Sequence, residues 1–455
     1  MAQEYIALLL LLGFFILIAF RIPVAVALGM VSFTGIVLDG LNVVNYVTQM
    51  YRGLDMFTVL AIPFFLITGF LASSTSVATR LLDLSVLLVG RVRGCLGHIN
   101  VVVSMIFAGI SGSATADTSG IGSVLIPMMV RRGYPAAYSA AITAISSTIG
   151  SIIPPSILMI IYGAYANVSV GAMFLGGFVP GIMVGAGAMI VNYVYARRQG
   201  IDIGEAAACF VGAGAGSQGS IDSGSFPYAN RFQDKLRIVL RALPPAAIPL
   251  IIILGVTGGV FTATEAGFVA LFYTLILLML VYREISPGRL LIILRQSLLF
   301  YALPLLAAAS AVLFGWVLTY YGLGEAVRNM VETLDIPAWA FLLLVVAIFL
   351  IAGTFLDGFP AIVLFSPMLL KAAYTLGIHP VQLGLITVLT LAVGLTTPPY
   401  GLCLLIAGKL AKVDVSKTLL PMLPFWTVTL GVIILCIFFP EVVLFLPRLV
   451  LPELF

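Results

Sequence analysis

The sequence predicts an all-α polytopic membrane protein built from two inverted-topology repeats. Of its 455 residues, 62% are hydrophobic and only 9% are charged, whereas soluble domains carry about 45–50% apolar and 25% charged residues. Apolar runs of about 20 residues, long enough to cross a bilayer, recur along the chain. Landmarks of the first half return in the same order in the second half. A water-soluble fold could not bury this much apolar surface, so we expect the chain to lie in lipid.

Ten apolar segments are predicted to span the membrane. The first has no basic region before it and no small-residue cleavage site after it, which favours a retained helix over a signal peptide. The ten segments lie near 4–20, 22–39, 56–73, 134–166, 171–196, 238–257, 263–282, 297–319, 381–411 and 418–447.

Two other regions, 97–131 and 338–373, each contain two shorter apolar stretches separated by small and polar residues. Each stretch is too short to cross the bilayer comfortably, which predicts a re-entrant hairpin that enters and leaves on one side. The amphipathic segments 75–93 and 322–337 precede these hairpins. We expect them to be interfacial helices.

The distribution of Lys and Arg predicts the orientation. With the N-terminus outside, all of the 22 basic residues except four fall on the cytoplasmic side. The exceptions are Arg52, Arg328, Lys371 and Arg448. Because cytoplasmic loops are enriched in basic residues, the chain is predicted to be a multi-pass protein of a bacterial inner membrane with its N-terminus outside.

The segment 204–230 is rich in Gly, Ala and Ser, and its glycines at 214–219 formally match G-x-G-x-x-G. A dinucleotide site also needs a preceding strand and a later acidic residue, and the context supplies neither. We interpret 204–237 as a cytoplasmic linker between a first repeat, 1–203, and a second repeat, 238–455. No P-loop Gly-Lys-[Ser/Thr] occurs, which excludes the ATPase of a pump.

The repeat rests on four pairs of landmarks in the same order. They are Ala61-Ile62-Pro63 with Ala302-Leu303-Pro304, Asp117 with Asp357, Gly133-Tyr134-Pro135 with Gly377 and Pro380, and Gly150–Pro155 with Gly394–Pro399. The first half contains an odd number of predicted crossings, so the second half is inverted. Inverted repeats place their binding sites near the midplane, where discontinuous helices meet.

Each half has a Pro-Pro pair, at 154–155 and at 398–399, inside a predicted helix. Proline lacks an N–H group, so each pair should break its helix and leave two carbonyls without partners. The four carbonyls are those of Gly150, Ser151, Gly394 and Leu395. Unpaired carbonyls in a bilayer need protein, water or an ion. This favours a sodium site, the alternative being a kink without a binding role.

The predicted hairpin tips, 111–120 and 353–360, combine small residues with hydroxyls and one Asp each. An acid inside the membrane costs about 2.5–3.5 kcal/mol, which indicates a function for Asp117 and Asp357. The alternative, that each caps a helix, is compatible with that function. The candidate cation and substrate residues are Ser111, Gly112, Ser113, Ala114, Asp117, Gly150, Ile152, Pro154, Pro155, Ser156, Gly353, Thr354, Asp357, Gly394, Thr396, Thr397, Pro398, Pro399 and Gly401.

Several other classes of function are disfavoured. The four cysteines are scattered singly and the two histidines lie far apart, so neither a transition metal nor another cofactor is predicted. No nucleophile–base pair and no basic, aromatic-rich patch for nucleic acid occurs. Glu265 follows Thr262 at the spacing of a capping box. The pattern favours binding and movement of a solute over bond chemistry.

The stretches 107–114, 150–156, 261–266 and 394–401 resemble those of the large membrane (DctM-like) subunit of tripartite ATP-independent periplasmic (TRAP) transporters. The resemblance covers nearly the whole chain. It implies an elevator-type, sodium-driven carrier with two sodium sites flanking a pocket for a small organic anion such as a dicarboxylate. It also implies two partners, a small four-helix membrane subunit (DctQ-like) and a periplasmic binding protein (DctP-like). No four-helix region precedes residue 1, so we expect the small subunit to be a separate chain.

The residues themselves also predict an elevator, in which hairpins and broken helices translate as one body against the other helices. Two alternatives stay open at this point. One is a stand-alone ion-coupled carrier or exchanger that needs no binding protein. The other is a non-transporting membrane enzyme or scaffold, which would require a catalytic constellation that the sequence lacks. In the linker 204–230 the chain departs from the shorter, more basic segment that is usual in the family.

Overall fold

A computed structural model describes residues 2–200 and 232–454, and over these residues the fold is all-α. Of the predicted linker 204–237, residues 204–231 lie outside the described residues, whereas 232–237 are already helical, so the predicted end of the linker is wrong. The first half contains α1 Ala2–Ala19, α2 Val24–Leu38, α3 Val44–Leu54, α4 Ala61–Ser73, α5 Ser76–Val89, α6 Cys95–Ser111, α7 Ala114–Arg131, α8 Ala136–Thr148, α9 Ile157–Ala166 and α10 Val170–Arg198. The second half contains α11 Phe232–Thr257, α12 Ala263–Ile276, α13 Pro287–Tyr320, α14 Leu323–Thr333, α15 Ala338–Gly353, α16 Gly358–Thr375, α17 Pro380–Gly394, α18 Leu402–Ala411, α19 Val415–Phe438 and α20 Glu441–Val450.

Six of the described helices are long and apolar enough to cross a membrane, or up to seven if one bent pair of helices counts as a single span. The six are Val170–Arg198, Lys235–Thr257, Ala263–Val281, Pro287–Tyr320, Gly358–Thr375 and Val415–Phe438. Most of the shorter apolar helices fall in the predicted hairpins and broken helices. The predicted all-α polytopic class is confirmed, while the inverted relation of the two halves stays a prediction.

Some segment boundaries differ from the prediction. The segment 418–447 is not one helix, because α19 ends at Phe438 and α20 begins only after Pro440. A short helix, α3, was not predicted at all, and it meets the Phe57–Ser73 segment at an angle of 57°. Helix α13 begins at Pro287, well before the predicted start, because the Ser286 hydroxyl caps it. Caps and kinks of this kind depend on short polar or proline signals inside apolar sequence.

Each predicted hairpin is a pair of helices that pack against each other. Helices α6 and α7 form hairpin 1 around Gly112, and α15 and α16 form hairpin 2 around the turn that ends at Asp357. Hairpin 1 contacts α4, whereas hairpin 2 contacts α13. The second helix of hairpin 2, Gly358–Thr375, is long and apolar enough to cross a membrane, so the prediction that each hairpin stretch is too short is wrong for this helix. That the hairpins are re-entrant with respect to a bilayer stays a prediction.

The two predicted interfacial segments contain α5 and α14. A charged side chain of each helix contacts a residue elsewhere in the fold. On α5, the Arg80 guanidinium lies 3.6 Å above the Tyr282 ring. On α14, Glu325 forms an ion pair with Lys371 of hairpin 2, with 2.8 Å between nitrogen and oxygen. The hydrogen bond from Lys371 and the charge of Arg328 hold the pKa of Glu325 below its usual value.

The two halves contact each other through the helices that follow the two breaks. Helix α9 of the first half packs on α16 of hairpin 2, and α18 of the second half packs on α7 and α8. The contact between α9 and α16 is close, because a Cβ on Gly358 would lie 2.8 Å from the Leu158 side chain. The hairpins and broken helices therefore form one packed unit, which we call the core body.

A buried amide fixes the entrance to hairpin 1. Asn192 of α10 is fully buried and donates to the Gly94 carbonyl over 2.9 Å. Its side-chain oxygen accepts from the Tyr138 hydroxyl over 3.1 Å. The Tyr138 ring also stacks on Tyr195, with 3.6 Å between ring centroids. One side chain therefore links α6, α8 and α10.

We expect Asn192→Ala to lower the stability of the protein by about 1–3 kcal/mol, because it leaves the buried Tyr138 hydroxyl without its acceptor and removes one hydrogen bond to the Gly94 carbonyl. Thermal unfolding of the purified protein in detergent measures the effect. The control Asn329→Ala, at an exposed position of α14, should change stability by no more than about 0.5 kcal/mol. Equal unfolding temperatures for both variants would contradict the structural role of Asn192.

Candidate functional site

Both predicted helix breaks are present. The first broken helix runs from α8 through a single 3-10 turn, Ile149–Ser151, and resumes as α9 after Ser156. The second runs from α17, which ends at Gly394, to α18. The Pro154–Pro155 and Pro398–Pro399 peptide bonds are both cis.

The prediction of bare carbonyls at the breaks is wrong at three of the four positions. The Ser151 carbonyl accepts a hydrogen bond from the Ser156 hydroxyl over 2.6 Å. In the second half, the Gly394 and Leu395 carbonyls accept from the main-chain N–H groups of residues 397 and 403, each over 3.0 Å. The chain folds back within each break, so downstream donors replace those that proline removed. A carbonyl with one partner keeps a second lone pair and can still face a cation.

Each break is bonded to the tip of the hairpin from its own half. The N–H of Ile157 donates to the Gly112 carbonyl over 3.1 Å. The N–H of Tyr400 donates to the Thr354 carbonyl over 3.0 Å. In the second half the two backbones also touch, because a Cβ on Gly394 would lie 2.8 Å from the Cα of Gly353. Hairpin tip and broken helix are thus a single unit in each half.

Asp117 is fully buried in the first turn of α7. Its Oδ1 accepts a hydrogen bond from the Ser111 hydroxyl, whereas its Oδ2 is buried without a partner among the described residues. A methyl group on Gly150 would collide with this Oδ2. Asp117 is not the helix cap, since the Ser113 hydroxyl accepts from the N–H of Ala116. A buried carboxylate oxygen without a partner is costly unless a proton or a cation neutralises it.

Asp357 has a different local role from Asp117. It is the N-cap residue of α16, and its Oδ1 accepts from the N–H of Gly358 over 2.7 Å. The capping alternative therefore holds for Asp357 and fails for Asp117. Asp357 is also partly exposed to a cavity, which leaves its second oxygen available.

This cavity is lined by both halves of the chain. The first half contributes the tip of hairpin 1, Gly112 to Thr115, together with Ser151 and the start of α9. The second half contributes Asp357, Phe359 and Leu395. Ser111, Asp117, Gly150, Ile152, Pro154, Pro155 and Ser156 belong to the same tip and break but do not line the cavity. The predicted site residues of the first half therefore lie close together, in the cavity lining or in the same hairpin tip and break.

Most of the second predicted set lies elsewhere. Gly353, Thr354, Gly394, Thr396, Thr397, Pro398, Pro399 and Gly401 do not line this cavity. Thr396 is buried and accepts a hydrogen bond from the Trp426 indole over 2.9 Å. Pro399 and Tyr400 are exposed. Two breaks with similar sequences therefore have different surroundings.

The remaining part of the cavity lining was not predicted from the sequence. Ile62 and Leu66 of α4 and Phe300, Tyr301 and Pro304 of α13 form it, and we call these five residues the scaffold wall. The only signal was the repeated Ala-x-Pro landmark at 61–63 and 302–304, which overlaps this wall. No Lys, Arg or His is among the residues that line the cavity, although an acid is.

A sequence model of the family described as "Tripartite ATP-independent periplasmic transporter, DctM component" matches residues 11–442. The chain belongs to this family. It is therefore a multi-pass membrane permease of a transporter and not an enzyme.

Three proteins of known sequence are similar to this chain over most of its length. The uncharacterized protein YgiK of Salmonella typhimurium is 35% identical, and the alignment covers 99% of each chain. The C4-dicarboxylate TRAP transporter large permease DctM of Pseudomonas aeruginosa is 33% identical over 88% of each chain. The sialic acid TRAP transporter large permease SiaM of Vibrio cholerae is 30% identical over 94% of this chain and 95% of that one.

The fold resembles that of a solved transporter with low sequence identity. The crystal structure of the Alcanivorax borkumensis YdaH transporter, described as having an unusual topology, matches with a TM-score of 0.55. The match covers 86% of both chains at 15% identity. At this identity the similarity concerns the fold alone.

We expect Gly150→Ala to destabilise this DctM protein by about 1–3 kcal/mol, because the added methyl group overpacks the site against the Asp117 carboxylate. Gly431→Ala is the matched control, since a Cβ at that helical position has open space around it. The control should be neutral or slightly stabilising. Thermal unfolding in detergent compares the two variants, and an equally stable Gly150→Ala protein would contradict the close contact.

Proposed function

We propose that this protein takes up a small organic anion by sodium-coupled, elevator-type transport, and that a periplasmic binding protein delivers the anion. One observation carries the proposal: the cavity between the halves presents an acid, Asp357, and no basic side chain. Directly behind the tip, Asp117 holds a second carboxylate with one unpartnered oxygen.

The charges in the cavity explain why a cation would be needed. An organic anion beside Asp357 would meet only negative charge, and like charges in a low dielectric repel strongly. A cation bound first would reverse this, since it offsets the carboxylates before the anion arrives. Oxygen atoms are the ligands that hard cations prefer. The tip and break of the first half provide carboxylate, hydroxyl and carbonyl oxygens close together.

The packing supports movement of a single body. Both hairpins and both broken helices form the core body, and the cavity lies where this body meets the scaffold wall on α4 and α13. A site at such a boundary would be opened to one side or the other by translation of the core body. The orientation with the N-terminus outside, in a bacterial inner membrane, follows from the basic residues and is part of this proposal.

The family supports the identity of the partners and the class of substrate. A component of a tripartite transporter works with other proteins, which favours a small four-helix membrane subunit and a binding protein over a stand-alone carrier. Two relatives are named for C4-dicarboxylates and sialic acid, both of which are carboxylates. We therefore propose an organic acid as substrate.

Uptake into proteoliposomes tests this function directly. The vesicles would contain the chain with its small subunit, and the binding protein would be added outside with succinate, N-acetylneuraminate or gluconate. We expect uptake of at least one acid under an inward sodium gradient and none under an equal potassium gradient. Uptake that persists without the binding protein would favour the stand-alone carrier instead.

Neutralising either acid should weaken sodium coupling. We expect Asp117→Asn to raise the sodium concentration for half-maximal uptake at least about tenfold, because a charged ligand is lost. Asp357→Asn should also weaken sodium-dependent uptake. Since Asn caps helices as well as Asp does, the α16 cap survives and any loss reports the charge.

The matched control for both variants is Asp335→Asn, which removes a charge at an exposed position after α14. It should leave uptake unchanged. Unaltered uptake and sodium affinity in Asp117→Asn and Asp357→Asn would remove the physical basis of the proposed cation site.

A further inference from the structure

Tyr301 provides the single polar side chain of the scaffold wall. The other four residues of that wall, Ile62, Leu66, Phe300 and Pro304, are apolar. The Tyr301 side chain is only 8% exposed, and its hydroxyl has no hydrogen-bond partner in the described part of the chain. Tyr301 therefore brings a buried donor without a protein partner to the wall of the cavity.

Several buried tyrosines of this protein have hydrogen-bonded hydroxyls, whereas those of Tyr301 and Tyr282 have no partner in the described part of the chain. Of these two residues, Tyr301 is the one that lines the cavity. The hydroxyl of Tyr162 donates to the Pro380 carbonyl over 3.0 Å. The hydroxyls of Tyr165 and Tyr321 donate to main-chain carbonyls over 2.7 Å each. Buried Tyr hydroxyls normally find such partners, and leaving one unpaired is unfavourable. The position of Tyr301 at the cavity suggests that its partner is a ligand.

On the opposite wall most hydroxyl protons are already committed. Ser151 donates to the Thr148 carbonyl over 2.7 Å, and Ser111, next to the lining, donates to the buried Asp117 carboxylate. Ser113 and Thr115 share one hydrogen bond of 3.1 Å, which occupies one of their two protons. The side-chain donors left for a bound acid are therefore one proton of this pair and the Tyr301 hydroxyl.

We propose that the Tyr301 hydroxyl donates a hydrogen bond to the transported organic acid and thereby helps to set its affinity and selectivity. The proposal rests on the function proposed above. A phenol remains protonated at neutral pH and so acts as a donor there. The hairpin 1 tip would hold one polar end of the acid and Tyr301 another, while the carbon chain lies along the apolar residues of the scaffold wall.

The placement of Tyr301 has two consequences. An acid that lacks the second polar group leaves the phenol unpaired, so the site should reject butyrate relative to succinate. Tyr301 also lies on α13 and not on the core body, so this hydrogen bond forms in the conformation seen here and breaks when the core body moves. Loss of the Tyr301 hydrogen bond should therefore weaken binding of the acid without slowing the movement of the core body.

The test is Tyr301→Phe in the full complex in proteoliposomes, with succinate, N-acetylneuraminate and gluconate as probes and butyrate as competitor against succinate. Phe keeps the ring and removes one oxygen. We expect the KM for the transported acid to rise about tenfold, with an equal or higher maximal rate and an unchanged sodium concentration for half-maximal uptake. If succinate is the transported acid, selectivity against butyrate should fall by a similar factor.

The matched control is Tyr193→Phe, which removes the same oxygen at an exposed position of α10 that does not line the cavity. It should behave as the unaltered protein. A Tyr301→Phe variant with unchanged KM would overturn the role, and so would one that loses sodium dependence, because that result indicates a structural role. If the unaltered protein takes up no probe with sodium, the proposed function fails first, and the role of Tyr301 fails with it.

Discussion

Inside a bilayer, every polar group must find its partner within the chain, in a trapped water or in a ligand, because lipid offers none. The two Pro-Pro breaks show how this protein meets that constraint. Three of the four carbonyls freed by proline accept hydrogen bonds from residues a few positions further along the chain. The Oδ2 of Asp117 and the hydroxyl of Tyr301 have no such partner among the described residues. Tyr301 lines the cavity, and Asp117 belongs to the hairpin tip that also lines it. These are the two groups for which we propose a cation and an organic acid as partners.

The same constraint accounts for the small residues around the site. Backbone hydrogen bonds between a hairpin tip and a broken helix require the two chains to approach closely. Gly353 and Gly394 pass so near each other that a Cβ on either would touch the other's backbone. Close backbone packing of this kind is typical where membrane helices associate, since lipid gives no hydrophobic drive for their contact. Because α9 and α18 then pack on elements of the opposite half, the hairpins and breaks are tied into the core body.

The two halves share their landmarks but not their chemistry. In the first half the break is buried, the acid lies inside the helix and the tip lines the cavity. In the second half the acid caps its helix, Thr396 is engaged by Trp426, and the prolines lie at or near the surface. The two halves therefore share sequence landmarks, while packing gives the two breaks and the two acids different local roles.

Local signals in the sequence determined the elements of this protein. Apolar length, the Pro-Pro pairs and the Thr262–Glu265 capping box each act over a few residues, so the hairpins, the breaks and that cap were readable in advance. The first hairpin tip and break were also readable, because their residues are neighbours in the chain or in one repeat. Only the tertiary structure decided which carbonyls are satisfied, which residues of the second break face the cavity, and that Tyr301 completes it. These outcomes depend on side chains far apart in sequence, whose contacts are set by how whole helices pack.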